Sequence, residues 1–356
     1  MSTEIGAAVA RGSAPGMVVV AASDSKILFE FNAGWADSEN KNALNGMTAL
    51  RQASVTKPYV AVTLLRLLSR ADVSTDASLD TPIESLLPAA TLESMKRAGY
   101  PVHKITLDHL LTHRAGLRQH SDSWRFKLLS MFFKSKTWTA QEQIDLMAEQ
   151  GSARWPPGKA YAYSDTGYIL LGQVIEHLTN RSLAKAVRSF ARFDELGLSN
   201  TWWESIEESP EGSLPRAEQF VWRFAVSEMH PTSDLFGGGG LVASTSDVAL
   251  FFDALFYPAT SGGRVLQDSA LLQQMLGLAD GEPKAGYQRG LRVEKLEGRW
   301  VYRHAGVWGT EVLHVPSLKL TLAYASTNQR GFPHLRQLVH RYLSARIATA
   351  NDNADQ

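Results

Sequence analysis

The sequence of 356 residues contains no cysteine and carries no net charge. The absence of cysteine excludes disulfide bonds, thiol nucleophiles and thiolate metal sites. Lysine and arginine together number 36, as do aspartate and glutamate, so no overall field favours binding to nucleic acid or to an anionic membrane. Because 44% of the residues are hydrophobic, the chain suits a globular protein with a large core.

Long hydrophobic runs are also missing. The longest early apolar run, Met17–Ala22, is far too short to span a bilayer, so we expect no stable membrane insertion. The first residues lack the basic start and apolar stretch of a secretory signal. We therefore expect a cytoplasmic protein, unless a signal was removed, and the oligomeric state stays open.

Strand-like patterns occur at both ends of the chain. Apolar and β-branched residues at Gly16–Ala22, a polar turn, and the segment Lys26–Phe31 predict a hairpin. The C-terminal third alternates as strands do in four places: Gly290–Leu296, Trp300–His304, Glu311–Val315 and Leu318–Ala325. A closing amphipathic helix is predicted at His334–Ile347.

Helical patterns lie between the two sets of strands, and Ser246 is predicted to cap a helix, Asp247–Phe256. This order predicts an α/β (α+β) fold, with an antiparallel sheet flanked by helices and an all-helical subdomain. Residues 1–75 and 238–356 would form the α/β part, and residues 76–237 the mainly helical part. Both would belong to one catalytic unit with its site in the cleft between them, followed by a polar tail at 349–356.

Ser54 and Lys57 form a Ser-x-x-Lys pattern just before an apolar helix, Val60–Ser69. At a helix start, positions i and i+3 lie on one face about 5–6 Å apart, so the amine can approach the hydroxyl. Serine is a poor nucleophile and needs such a base. The pattern alone is weak evidence, because it also begins at Ser23 and Ser182, and because Ser54 could instead cap the helix.

Two further segments carry groups suited to proton transfer and to substrate binding. In Tyr163-Ser164-Asp165, a nearby ammonium can lower the pKa of the phenol from its usual value near ~10. In His304-Ala305-Gly306-Val307, the glycine lets a substrate approach the backbone, and the next N–H can serve in an oxyanion hole. Taken singly, each segment also has a purely structural explanation. Tyr163 could be an aromatic residue that packs at a loop-to-helix junction, and His304 could be a structural histidine at the end of a strand.

Together, in this order and with this wide spacing, the three segments resemble the serine β-lactamase and penicillin-binding-protein-like hydrolase family. The pattern of that family is Ser-x-x-Lys, then Tyr/Ser-x-Asn, then Lys/His-x-Gly. The chain is most similar to the branch of class C β-lactamases, DD-peptidases, D-amino-acid amidases and esterases. The resemblance covers about residues 15–345, with further support at 34–37, 110–117, 157–172 and 238–245.

The resemblance implies a serine β-lactamase-like fold and an acyl-enzyme mechanism that needs no cofactor and no metal. Ser54 would attack the carbonyl, and Lys57 and Tyr163 would accept its proton and return it to the leaving group. Water would then attack the acyl-enzyme. The backbone N–H groups of Ser54 and Val307, beside Gly306, would hold the oxyanion. The expected partner is a small-molecule ester or amide.

Two residues depart from the family pattern. Asp165 stands where the family usually has asparagine, and an ionised carboxylate accepts hydrogen bonds without donating them, which argues mildly for esters. It would pair with Lys57 and push the base role toward Tyr163. His304 replaces lysine, and because histidine titrates near ~6.5, a cation for a substrate carboxylate would be present only in mild acid.

The segment 124–138 is aromatic, basic and amphipathic. It could pack in the core, wall an acyl-binding pocket or lie on a membrane surface. The residues considered for a pocket wall are Trp124, Phe132, Phe133, Trp138 and Trp308. Two histidines four apart, His109 and His113, could ligate zinc, but no HExxH glutamate accompanies them and a structural role is favoured.

We therefore expect a carboxylesterase with an aromatic-lined pocket. A D-amino-acid amidase or aminopeptidase is the nearest alternative, since a missing signal suits both. A β-lactamase or DD-peptidase ranks third, because those substrates lie outside the cytoplasm. An inactive homologue that binds a ligand is the alternative outside enzymes.

Overall fold

The computed structural model describes residues 1–37, 39–70, 76–258, 263–278 and 283–354. Within them the strands are β1 (Gly16–Ser23), β2 (Lys26–Asp37), β3 (Asn42–Ala43), β4 (Ala49–Arg51), β5 (Thr201–Trp203), β6 (Phe220–Val221), β7 (Phe224–Ala225), β8 (Leu241–Ser244), β9 (Gly286–Tyr287), β10 (Arg292–Leu296), β11 (Arg299–Gly306), β12 (Thr310–Val315) and β13 (Leu320–Ser326). The α-helices are α1 (Ser2–Ala10), α2 (Thr56–Ser69), α3 (Ala89–Arg97), α4 (Leu107–Leu111), α5 (Trp124–Phe132), α6 (Ala140–Ala148), α7 (Asp165–Thr179), α8 (Leu183–Phe190), α9 (Thr245–Phe256), α10 (Gly263–Leu266), α11 (Ser269–Leu276) and α12 (Phe332–Ala354).

The main sheet has eight antiparallel strands in the order β3-β2-β1-β13-β12-β11-β10-β9. Because β1 pairs with β13, the two ends of the chain meet in the middle of the sheet. A smaller sheet, β4-β8-β5, and a hairpin, β6-β7, complete the strands of the described residues. The predicted fold class and the N-terminal hairpin are confirmed.

Both faces of the central strands are covered, because side chains alternate between the faces of a sheet. Met17, Val19 and Ala21 pack with α1 and α12, whereas Val18 and Val20 belong to the larger core that includes α9. This explains why β1 reads as an unbroken apolar run rather than an alternating one. The larger core continues into α2, α7 and α8.

Some boundaries differ from those predicted. Helix α9 begins at Thr245 and its cap is Ser244, whose hydroxyl accepts the N–H of Asp247, so the prediction of Ser246 as the cap is wrong. Helix α12 continues to Ala354, beyond the predicted end at residue 347 and into the predicted polar tail. No described helix has the length and apolar character needed to cross a bilayer. The division into two subdomains stays a prediction.

Candidate active site

Ser54 lies in a short 3-10 turn, Ala53–Val55, that joins β4 to α2. Ala53 has a φ of +46°, a left-handed conformation that is uncommon for a residue with a side chain. The N-cap position of α2 is Val55, and no side chain caps that helix. The alternative role of Ser54 as a helix cap is therefore wrong, and its hydroxyl makes contacts of another kind.

Lys57 is fully buried beside Ser54, on the first turn of α2. Its Nζ lies 2.9 Å from Ser54 Oγ, 2.5 Å from Asp165 Oδ1 and 2.6 Å from the carbonyl oxygen of Gly238. These three acceptors match the three protons of an ammonium group. The geometry is thus that of a charged Lys57, paired with Asp165 and donating a hydrogen bond to Ser54.

Tyr163 reaches the same hydroxyl from the segment before α7. Its OH donates to Ser54 Oγ at 2.8 Å, and Lys57 Nζ lies 4.9 Å from the centre of its ring. Burial and the charge of Asp165 raise the pKa of Tyr163 well above its usual value. The expectation of a lowered pKa is therefore wrong, because desolvation of the phenolate and the charge of Asp165 dominate. The phenol is protonated in the resting site.

Asp165, the first residue of α7, is held by a side chain that the sequence did not single out. Its Oδ2 accepts from the side-chain amide of Gln119, and its backbone N–H donates to Gln119 Oε1 at 2.7 Å. Burial by itself would raise the pKa of Asp165, but the Lys57 ammonium and the hydrogen bond from the Gln119 amide hold it below its usual range. The carboxylate therefore stays ionised and engaged with Lys57.

The two histidines weighed as zinc ligands have separate backbone partners. His113 Nδ1 accepts the N–H of Ser164 at 3.2 Å, and its ring centre lies 4.3 Å from that of Tyr163. Burial lowers the pKa of His113 well below its usual value, so the ring is neutral, as this acceptor role requires. His109 Nδ1 accepts the N–H of Thr106 in the capping box of α4, at 3.2 Å. His113 thus supports the segment that carries Tyr163.

His304 is buried within β11, close to the site. Its Nδ1 lies 3.1 Å from the carbonyl oxygen of Ala305, so Nδ1 carries the proton and Nε2 accepts from Tyr287 OH at 2.9 Å. Burial, and then the charge of Lys57, lower the pKa of His304 to about 3. The expected cation in mild acid is therefore wrong. His304 is also absent from the described residues that line the cavity beside Ser54.

The end of β11 passes close to the Ser54 turn. A Cβ on Gly306 would lie 2.3 Å from the carbonyl oxygen of Gln52, so glycine is needed there, and the Thr310 hydroxyl donates to the same oxygen at 3.2 Å. Val307 follows and lines the same cavity as Ser54. This placement suits the oxyanion role predicted for the two backbone N–H groups, which stays a prediction.

A cavity of about 300 Å³ opens beside Ser54 and Tyr163. Its apolar lining comes from Phe126, Ile169, Met229, Leu235, Phe236, Val307 and Trp308. Two carboxylates, Asp165 and Asp234, also line it. Among the residues that the structure describes, no lysine or arginine lines this cavity.

Of the five residues considered for a pocket wall, Trp308 lines the cavity. The structure corrects the other four. Trp124 is 72% exposed, Phe132 66% and Phe133 59%. Trp138 is buried and packs against Phe126. Phe126 lines the cavity instead, and it is the buried residue of α5.

Asp234 is an acidic residue of the cavity that no sequence motif marked. It ends a short 3-10 turn, Pro231–Asp234, and its Oδ2 accepts from the indole N–H of Trp308 at 3.2 Å. Burial and the charge of Asp165 raise its pKa to about 7. A Cβ on Gly239 would lie within 2.3–2.5 Å of this carboxyl group. The glycine run at 237–240 is therefore a signal in the sequence, since Gly239 leaves room for Asp234.

Comparison with known proteins agrees with this geometry. The Beta-lactamase family model matches residues 2–345. Penicillin-binding protein 4* of Bacillus subtilis (strain 168) is 24% identical over 331 residues, which are 87% of this chain and 68% of that protein. Esterase EstB of Burkholderia gladioli is 28% identical over 285 residues, covering 72% of this chain and 70% of EstB. A D-aminopeptidase of Gluconobacter oxydans is 25% identical over 331 residues, which are 90% of this chain and 57% of that protein.

The fold is shared with solved structures. D-amino acid amidase from Ochrobactrum anthropi SV3 superposes with a TM-score of 0.78 over 98% of both chains, at 23% identity. The family match extends over nearly the whole chain, and Ser54, Lys57 and Tyr163 meet in space as the resemblance implied. The chain belongs to the Beta-lactamase family and is a serine hydrolase.

Proposed function

We propose that this chain hydrolyses small carboxylic esters through an acyl-enzyme on Ser54. The observation that carries the proposal is the convergence of Lys57 Nζ and Tyr163 OH on Ser54 Oγ, at 2.9 and 2.8 Å, in the wall of a mostly apolar cavity. An apolar cavity with a few convergent polar groups is the usual form of a small-molecule site.

Acylation begins when Ser54 Oγ forms a bond to the carbonyl carbon of the ester. The carbonyl electrons move onto oxygen, where the N–H groups of Ser54 and Val307 stabilise the negative charge. The Ser54 proton passes to the pair formed by Lys57 and Tyr163. Since the resting pair holds all its protons, it must first release one to solvent. The intermediate then collapses, the bond to the alcohol breaks, and the alcohol leaves with the proton that the pair returns.

Deacylation repeats these steps with water. Water attacks the acyl carbon and gives one proton to the same pair. The bond between Ser54 Oγ and the acyl carbon breaks, Ser54 regains that proton, and the carboxylic acid is released. No step requires a metal ion or an organic cofactor.

Two features favour esters over penicillins and DD-peptides. Asp165 is engaged with Lys57 and Gln119 and offers no side-chain N–H to a substrate amide carbonyl. A substrate with a free carboxylate would meet two further carboxylates, Asp165 and Asp234, and no lysine or arginine among the described residues that line the cavity. Like charges in a poorly solvated site are unfavourable.

D-Amino-acid amidase activity is the second candidate. The likeness to a D-amino acid amidase covers 98% of both chains, and relatives named D-aminopeptidase match this chain as well. An amide has a poorer leaving group than an ester, so we expect slower acylation of amides by the same groups.

The test is labelling with a fluorophosphonate probe together with hydrolysis of p-nitrophenyl butyrate. Ser54→Ala should lose both. Ser182→Ala is the matched control, because Ser182 begins a second Ser-x-x-Lys pattern but caps α8 through the N–H of Lys185, and it should keep both. Labelling that persists in Ser54→Ala would overturn the proposal, as would undiminished hydrolysis. Nitrocefin and D- and L-amino-acid amides assayed alongside would rank the alternatives.

A further inference from the structure

The cavity beside Ser54 contains a carboxylate for which the proposed reaction has no use. Asp234 lines this cavity together with Ser54, Tyr163 and Trp308. Proton transfer is already assigned to Lys57 and Tyr163. The presence of Asp234 in the cavity is therefore not explained by proton transfer.

The carboxylate of Asp234 has few partners. In the part of the chain that the structure describes, it accepts one hydrogen bond, from Trp308 Nε1 to Oδ2, and Oδ1 has no protein donor. The buried carboxylate of Glu311, by comparison, accepts from Arg303 and Arg336. Asp234 is partly buried in the wall of a mostly apolar cavity, so a ligand that donates a hydrogen bond there would supply a partner that the protein does not.

The neighbouring cations, Lys57 and Arg51, compensate the charge of Asp234 only in part. The three protons of Lys57 are already donated to other acceptors. Arg51 donates to Glu204 and to two backbone carbonyl oxygens. Burial, and then repulsion by the nearby Asp165 carboxylate, raise the pKa of Asp234 to about 7. A cation that entered the cavity would relieve this repulsion and gain a charge-assisted hydrogen bond.

We infer that Asp234 binds a protonated amine on the acyl part of the substrate, so that the preferred substrates are esters or amides of amino acids with a free amino group. We place the amine on the acyl part and not on the leaving alcohol, because the acyl part stays beside the cavity on Ser54 after the alcohol has left. Trp308 positions the carboxylate through its indole N–H. The inference rests on the proposed function, since the amine is recognised while the carbonyl lies at Ser54.

The experiment compares two methyl esters that differ in one group: phenylalanine methyl ester, as both enantiomers, and 3-phenylpropionate methyl ester. In Asp234→Asn, which keeps an oxygen to accept from Trp308, the kcat/KM for the preferred amino ester should fall roughly 10-fold or more. The neutral ester should change much less. Glu228→Gln is the matched control, because it removes a charge from the same segment at an exposed pair with Lys134, and it should leave the ratio unchanged.

A second measurement separates the two proposals. Binding of 2-phenylethylamine, followed by calorimetry or by inhibition of labelling at Ser54, should be detectable in the natural protein and lost in Asp234→Asn. If neither ester is hydrolysed but this binding difference holds, the proposed function fails and the amine site stands. If both esters are hydrolysed with the same ratio by the natural protein and Asp234→Asn, the amine site is overturned and the hydrolase stands.

Discussion

Replacement of Asp165 by asparagine is the sharpest test of how this site handles protons. The carboxylate lies 2.5 Å from Lys57 Nζ, and after burial its charge is the largest cause of the raised pKa of Tyr163. Without it, the ammonium of Lys57 loses the charge that faces it, and the phenolate of Tyr163 becomes less unfavourable. Both changes favour the state of the pair that has released one proton and can accept the proton of Ser54.

The size of the effect follows from the contact. A charge within about 4–6 Å shifts a pKa by about 1–3 units, and each unit is about 1.36 kcal/mol. Because the pair must lose a proton before it can act, kcat/KM rises with pH. Removing a negative charge lowers the pH at which that proton leaves. The rising limb of the profile should therefore move to lower pH by about 1–3 units in Asp165→Asn.

The assay is the pH dependence of kcat/KM for a neutral p-nitrophenyl ester, with the melting temperature recorded at each pH. Asp122→Asn is a suitable control, since it removes a carboxylate whose side chain is 54% exposed and should leave the limb in place. The limb belongs to the coupled pair and not to one residue. A limb that stays fixed or moves to higher pH in Asp165→Asn would refute the reasoning.

The same Asp165→Asn variant should raise amide or β-lactam turnover relative to ester turnover, because asparagine supplies an N–H donor; equal ratios in the purified proteins would contradict this. The pH–rate profile of a neutral ester should keep its shape in mild acid in His304→Gln, because the pKa of His304 is about 3 and the ring stays neutral there. Glu311→Gln should lower the free energy of unfolding in urea by about 3–5 kcal/mol, because it breaks a buried network with Arg303 and Arg336. A loss within 0.5 kcal/mol, the usual range for surface substitutions, would show that these arginines are well solvated without Glu311.

Local patterns were sufficient for the architecture. The hairpin of β1 and β2 and the four C-terminal strands depend on neighbouring residues, and the structure has them close to where they were predicted. The cap of α9 was placed two residues late, because Ser244 and Ser246 both suit an N-cap and only the backbone path distinguishes them. The role of Phe126 was missed for a similar reason, since the aromatic residues of α5 look alike in the sequence and only packing selects the one that lines the cavity.

The sequence by itself determined the family, the fold class and the residues that meet at Ser54, because short motifs and their order carry that information. Only the tertiary structure decided the charge states: a neutral His304, a protonated Tyr163 and the poorly paired carboxylate of Asp234. Charge state depends on burial and on groups brought together from distant segments. Neither of these can be read from the residues on either side of an ionisable group.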